Sequence, residues 1–307
     1  MKQAYLVTGF LGAGKTSFLK SFCRCFPDQR IFLVINEFGR EGVDGALLAD
    51  QGTELKEINH GSIFCACKAE DFARALDQFA ASDCDLAIIE ASGLADPTDI
   101  GKILARDCYS GIDYQGAVCV IDALRFHKVW ETARNVKKQV AVATGIVINK
   151  IDLAEQSQID DIMNIMKSFR PGIPILQTSY GQVDKDFVAS LPHPAEAEAG
   201  EAAYHAPDIT LSKLTLWFPK APLVSLKGFL SVFIEDSYRV KGFLSLEEGI
   251  FLVDCVGPIL KVEPFRGEVN ALGCLNVLYG NGLPVKRSLK KAIALYPQLE
   301  IRMEAGE

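Results

Sequence analysis

No apolar run in this 307-residue chain approaches the roughly 18 residues that cross a bilayer. The N-terminus, MKQAYLVTGFLG, has neither the apolar core nor the small-residue cleavage site of a secretory signal. A cytoplasmic protein that does not work on a membrane is expected. Basic charge is in deficit: 32 Lys and Arg stand against 39 Asp and Glu, a net charge of -7. A general nucleic-acid binder carries a basic surface, so nucleic acid is not an expected partner. Histidine is scarce, with four residues, which leaves no histidine-rich metal store. The nine cysteines are odd in number and scattered, unlike the disulfide framework of a small secreted domain. Reduced thiols are expected. No internal repeat interrupts the pattern.

What is present is ordinary globular material. Hydrophobic content is 49% and charged content 23%, enough to pack a core, and the length suits two domains. Ala4 to Val7 is a short apolar run, followed by GFLGAGKTS, Gly9 to Ser17. Gly9, Gly14, Lys15 and Thr16 fall at the fixed places of G-x-x-x-x-G-K-[ST]. Glycines let the backbone curl until successive N–H groups face phosphate oxygens, and the next helix offers its N-terminus to the same anion. Gly12, Ala13, Gly14, Lys15, Thr16 and Ser17 are therefore candidate phosphate-binding residues. Lys15 would reach the β- and γ-phosphates, and the Thr16 hydroxyl would ligate Mg²⁺. Phe18, Leu19, Phe22 and Phe26 recur at helical spacing and predict the buried face of that helix.

The base is read elsewhere. GIVINKIDL, Gly145 to Leu153, predicts a buried strand that ends in Asn149, Lys150 and Asp152. A carboxylate at Asp152 can accept from the ring N–H and the exocyclic amine of guanine, a donor pair that adenine lacks. Lys150 would lay its stem along the base. GTP is the expected nucleotide. Between the two motifs, Leu86 to Ile89 predicts a strand buried on both faces. It ends in Glu90, placed to hold Mg²⁺ through water, or else a solvated carboxylate at a strand end. Gly93 would let a backbone N–H approach the γ-phosphate. Thr178 and Ser179, in ILQTSYG, are placed to cover the guanine edge, with a plain turn as the alternative.

Lys15, Thr16 and Glu90 are the candidate catalytic residues for attack of water on the γ-phosphate. Leu94 follows Gly93, where other GTPases position that water with glutamine, so slow intrinsic hydrolysis is expected without a partner.

The expected fold is α/β: a doubly wound, mainly parallel P-loop sheet over residues 1–184, helices on both faces. Residues 185–207, rich in Pro, Ala and Glu, read as a linker. Residues 208–307 read as a smaller α+β domain without a catalytic constellation, suited to docking a client or to self-association as a homo-oligomer. Its helix is signalled by Leu226, Phe229, Leu230 and Phe233.

These motifs carry a family likeness. GFLGAGKTS, NEFGREGVDGALL (Asn36 to Leu48), EINHGSIFC, EASGLADP and NKIDL, in that order, resemble the CobW family of metal-handling P-loop GTPases. RVKGFLSLEEG, Arg239 to Gly249, is similar to the CobW C-terminal domain. The resemblance implies a GTP-dependent metallochaperone or cofactor-insertion factor. It would serve a client metalloprotein or a corrinoid-dependent protein, with the segment after Asn36-Glu37-Phe38-Gly39 as a switch.

One stretch departs from the family. Where the pattern is Gly-Cys-x-Cys-Cys, this chain reads Gly61-Ser62-Ile63-Phe64-Cys65, with Cys67 extra. A three-thiolate site cannot form from this loop. Cys65 and Cys67 could still face one Zn²⁺ or another soft transition metal, with Glu37, Glu41 or His60 as further ligands. The alternatives are incidental loop cysteines or a redox pair. The lost thiols also fit a regulatory GTPase that assembles or activates a client without carrying an ion. Cys119 and Cys255 read as buried strand positions. Cys23 and Cys25, two apart on a predicted helix, would fall on different faces.

Overall fold

The computed structural model describes residues 1–35, 54–57, 69–94, 96–98, 103–104, 109–194, 211–219, 221–267, 269, 272–280 and 283–305. The chain divides into two compact units, residues 1–130 with 135–206, and residues 131–134 with 207–307.

The first unit alternates strand and helix. Its elements are β1 (Lys2–Thr8), α1 (Lys15–Cys23), β2 (Ile31–Ile35), β3 (Glu54–Glu57), α2 (Ala69–Ala81), β4 (Leu86–Glu90) and β5 (Ile112–Asp122). There follow α3 (Phe126–Thr132), α4 (Arg134–Ala141), β6 (Gly145–Asn149), α5 (Gln156–Phe169), β7 (Ile175–Gln177) and α6 (Lys185–Ala189). Among the described residues the sheet has seven strands in the order β3-β2-β4-β1-β5-β6-β7, and its pairings are parallel. The chain winds outward from β1 in one direction and then the other, which is the doubly wound arrangement expected from the sequence.

Burial explains the continuous apolar runs. β4 and β6 are buried along their whole length. On one face Val7, Leu33, Ile88, Val118 and Val147 pack with Phe18, Leu19 and Phe22 of α1. On the other, Leu6, Val34 and Ile89 pack with Phe72, Leu76 and Phe79 of α2. Farther along that face Cys119, Ile121, Ile146 and Ile148 meet Phe126, Val140 and Ile162. Each such side chain contributes about 1.5–3 kcal/mol on burial.

Two local expectations change. Helix α1 stops at Cys23, so Phe26 is not on it. Phe26 still reaches the same cluster, its ring 5.2 Å from Phe22 and 5.8 Å from Tyr5. The stretch expected to be linker from Lys185 begins instead with helix α6. Asp184 caps it by accepting from the Phe187 N–H, and Phe187 is buried in the first unit's core. A single apolar anchor among polar residues was too weak a period to read.

The second unit contains β8 (Leu211–Trp217), α7 (Leu223–Phe233), β9 (Arg239–Leu246), β10 (Gly249–Cys255), β11 (Val262–Pro264), β12 (Cys274–Gly280), α8 (Val285–Leu295) and β13 (Arg302–Ala305). Its sheet is antiparallel, in the order β11-β10-β9-β12-β8-β13. Leu226, Phe229, Leu230 and Phe233 of α7 and Val285, Leu289 and Ala292 of α8 share one core with the inward strand residues. Strand β13 had no sequence signal, since the four residues of RMEA pair only along the edge of β8. Among the described residues no helix is long and apolar enough to cross a membrane.

Candidate nucleotide site

Parallel pairing brings the carboxyl ends of the central strands to one edge. Val7 of β1 pairs with Glu90 of β4, Thr8 with Cys119 of β5, and Asp122 of β5 with Asn149 of β6. Ligands of doubly wound sheets bind in the crevice outside these ends, where the winding reverses. Here that point is β1, and the loop leaving it is GFLGAGKT.

The loop has the shape of an anion cradle. Gly12 and Gly14 take φ of 75° and 96°, in the left-handed region that disfavours a side chain. A Cβ at Gly14 would also collide with the Asn149 amide. Gly14 caps α1, whose first turn carries no acidic residue, so the positive end of the helix is kept for an anion. Lys15 is buried, and its Nζ donates to the Gly9 carbonyl at 3.0 Å and the Phe10 carbonyl at 3.4 Å. The ammonium is thus held inside the curl. Thr16 is half-buried and Ser17 exposed in the first turn of α1.

The Asn149-Lys150-x-Asp152 motif is strapped to this loop. Asn149 is 1% exposed; its Nδ2 donates to the Ala13 carbonyl at 2.9 Å and its Oδ1 accepts from the Gly181 N–H at 2.9 Å. Lys150, in the left-handed region at φ 63°, sends Nζ to the Gly12 carbonyl at 2.6 Å. Asp152 is exposed, and its N–H donates to Ser179 Oγ at 3.3 Å. Thr178 is buried, and its carbonyl accepts from the Ile151 N–H at 3.3 Å. The loop after β7 therefore holds the Asp152 turn in place.

Asn149 joins three segments with one buried amide. Its replacement, Asn149→Ala, strands a buried carbonyl and a buried N–H, each worth about 1–3 kcal/mol. The expected destabilisation is about 2–6 kcal/mol, read from the urea midpoint of the purified variant. A midpoint within error of wild type would rule the strap out.

Glu90 is 2% exposed, so the solvated-carboxylate alternative does not apply. Gly93 is buried directly against the phosphate loop: a Cβ there would lie 2.6 Å from the Leu11 N and 2.8 Å from the Leu11 Cα. The donor set of Thr16 hydroxyl and Glu90 carboxylate is hard oxygen, the kind Mg²⁺ takes.

With this geometry in view, residues 3–177 match the nucleotide-binding domain described as CobW/HypB/UreG. The chain belongs to that family. Its first unit is a CobW/HypB/UreG P-loop GTPase domain. Across 292 residues, 86% of this chain and 89% of the relative, it is 28% identical to the zinc chaperone YeiR of Escherichia coli (strain K12). It is 30% identical over 287 residues to the zinc chaperone CobW of a Sinorhizobium species, covering 78% and 80% of the two chains. Among solved structures, the Zn(II)-bound YjiA GTPase from E. coli is 19% identical, with 96% and 98% coverage and a TM-score of 0.46.

The transition-metal reading falls elsewhere. Cys65, Cys67 and Glu37, with Glu41 and His60, lie outside the described residues. Among the described residues no group of three His, Cys, Asp or Glu is close enough to hold a metal. Cys23, Cys25, Cys84, Cys119, Cys255 and Cys274 are free thiols. Burial pushes Cys23 and Cys119 up to about 12 and Cys255 up to about 11, which keeps them protonated and poor ligands.

Sequence reasoning missed four polar contributors. Asp122 pairs with Lys150 Nζ at 2.7 Å, a second hold on the ammonium beside the Gly12 carbonyl. It ends an apolar strand as Glu90 and Asn149 do, which was a readable signal. Asp96 pairs with Lys138 of α4 at 2.6 Å, and Gln139 of α4 donates to the Gly93 carbonyl at 3.1 Å. Burial would raise the Asp96 pKa, but bonds from Lys138 and Thr98 outweigh it and hold the carboxyl below its ordinary value.

Proposed function

We propose that this chain is a GTP-hydrolysing metallochaperone or cofactor-insertion factor. It couples nucleotide state to delivery of a metal, or a metal cofactor such as a corrinoid, to a client protein in the cytoplasm. The carrying observation is the strap of Asn149 and Lys150 onto Ala13 and Gly12, which supports one site for phosphate and guanine together. The names of YeiR and CobW as zinc chaperones support the metal half. The free thiols support a reducing compartment.

In this reading Lys15 and the loop N–H groups hold the β- and γ-phosphates, and Asp152 accepts from guanine under Ser179, beside Thr178. Thr16 and Glu90 would hold Mg²⁺, which neutralises charge on the phosphates when bound. Catalysis comes from fixed donors aimed where charge develops on the γ-phosphate, with Gly93 N–H beside it. Nucleotide work is assigned to residues 1–184, and client docking or self-association to residues 208–307.

A second reading, a GTPase switch that carries no ion, is favoured by Ser62 and Phe64 in the family's thiol positions. Titration of the reduced protein with Zn²⁺ separates the two. Wild type is expected to bind about one ion, the Cys65→Ser/Cys67→Ser variant none, with affinity shifted by a non-hydrolysable GTP analogue and Mg²⁺. Absence of binding in wild type, with and without nucleotide, selects the switch.

A further inference from the structure

Helix α4 buries an unusually polar face. Asn135, Lys138 and Gln139 lie at i, i+3 and i+4, so they share one side, and all three are buried. Burying three polar side chains is costly unless each is bonded. All three bond to the loop that follows β4. Asn135 Nδ2 donates to the Leu94 carbonyl at 2.7 Å, Gln139 Nε2 to the Gly93 carbonyl at 3.1 Å, and Lys138 Nζ to Asp96 Oδ2 at 2.6 Å. Asp96 Oδ1 accepts from Thr98 N–H and Oγ1, at 3.2 and 2.7 Å. The apolar side of the same helix is Val136 and Val140, which are also buried. The gripped loop in turn abuts the phosphate loop at Leu11 through Gly93.

We propose that α4 is a positioning element for the γ-phosphate, and that the Lys138–Asp96 pair is the latch that holds the post-β4 loop in its GTP-reading place. Gln139 and Asn135 grip the backbone carbonyls of Gly93 and Leu94, while the ion pair holds Asp96 just beyond them. On this proposal a displaced Gly93 N–H costs the γ-phosphate contact, while Lys15 and the α1 N-terminus keep the β-phosphate and Asp152 keeps the base. The latch should therefore act on GTP and not on GDP.

The inference rests on the nucleotide-binding reading, and the test separates the two. GDP and a non-hydrolysable GTP analogue, each with Mg²⁺, are titrated into wild type, Lys138→Met, Asp96→Asn and the double variant, with single-turnover hydrolysis measured in parallel. The single variants are expected to bind GDP within twofold of wild type. They should lose about tenfold in analogue affinity and in hydrolysis rate, the size of a typical coupling between sites. The double variant, which leaves no lone buried charge if Lys138→Met or Asp96→Asn folds poorly, should lose no more than either single change. Unchanged analogue affinity and rate overturn the latch, as does an equal loss for GDP and analogue, which marks mere structural support. Wild type that binds neither nucleotide overturns the nucleotide reading, and the latch with it.

Discussion

Asp152→Asn should lose GTP affinity by about 10²–10⁴-fold and gain affinity for xanthosine nucleotides. The aspartate's neighbours are already committed. Its own N–H is taken by Ser179 Oγ at 3.3 Å, and Lys150 is fixed between Gly12 and Asp122. The carboxylate is exposed. Two charge-assisted bonds to guanine are each worth about 1.5–3 kcal/mol. An amide keeps one acceptor but turns a donor toward the guanine amine, so one bond is lost and a repulsion replaces it. Xanthine has a carbonyl where guanine has that amine, and the same donor then pairs. Competition of GDP and XDP against a fluorescent GDP analogue reads both numbers. Retention of guanine preference in the variant would mean that Asp152 does not face the base.

Lys15→Ala should lower turnover at saturating GTP by about 10²–10³-fold, the loss seen when one donor to developing charge is removed. The lysine is buried, and its Nζ is held by the Gly9 and Phe10 carbonyls. Close below is Cys119, whose thiol burial pushes up to about 12 while the Lys15 charge pulls the other way. A cation held in such low-polarity surroundings acts on a nearby phosphate far more strongly than one in water. Lys15→Arg should not rescue, because the wider guanidinium fork does not fit a curl built around one ammonium. Phosphate release under single-turnover conditions is the measurement, with the urea midpoint as the control for folding. A loss below tenfold in Lys15→Ala would remove Lys15 from the catalytic group.

Much of the first unit was legible because its signals are local. The phosphate loop has a fixed spacing within eight residues, and the strands β1, β4 and β6 read as apolar runs because they are buried on both faces. Helix α7 was equally plain from the four apolar residues of one face. Local signals failed where the period was short or shared. RMEA becomes β13 only because β8 has an open edge, and Lys185–Ala189 becomes α6 only because Phe187 finds the core. The end of α1 also escaped, since Phe26 keeps the helical spacing without keeping the helix.

The chain's residues alone determined that a phosphate loop, an Asn-Lys-x-Asp motif and an acidic strand end exist, and that the family thiols at positions 62 and 64 are gone. Only the tertiary structure decided which of them meet. Lys150 finds Asp122 across 28 residues and Lys138 finds Asp96 across 42. The reason is parallel pairing: every strand delivers its carboxyl end to the same edge, and which ends become neighbours depends on strand order, which no single segment encodes.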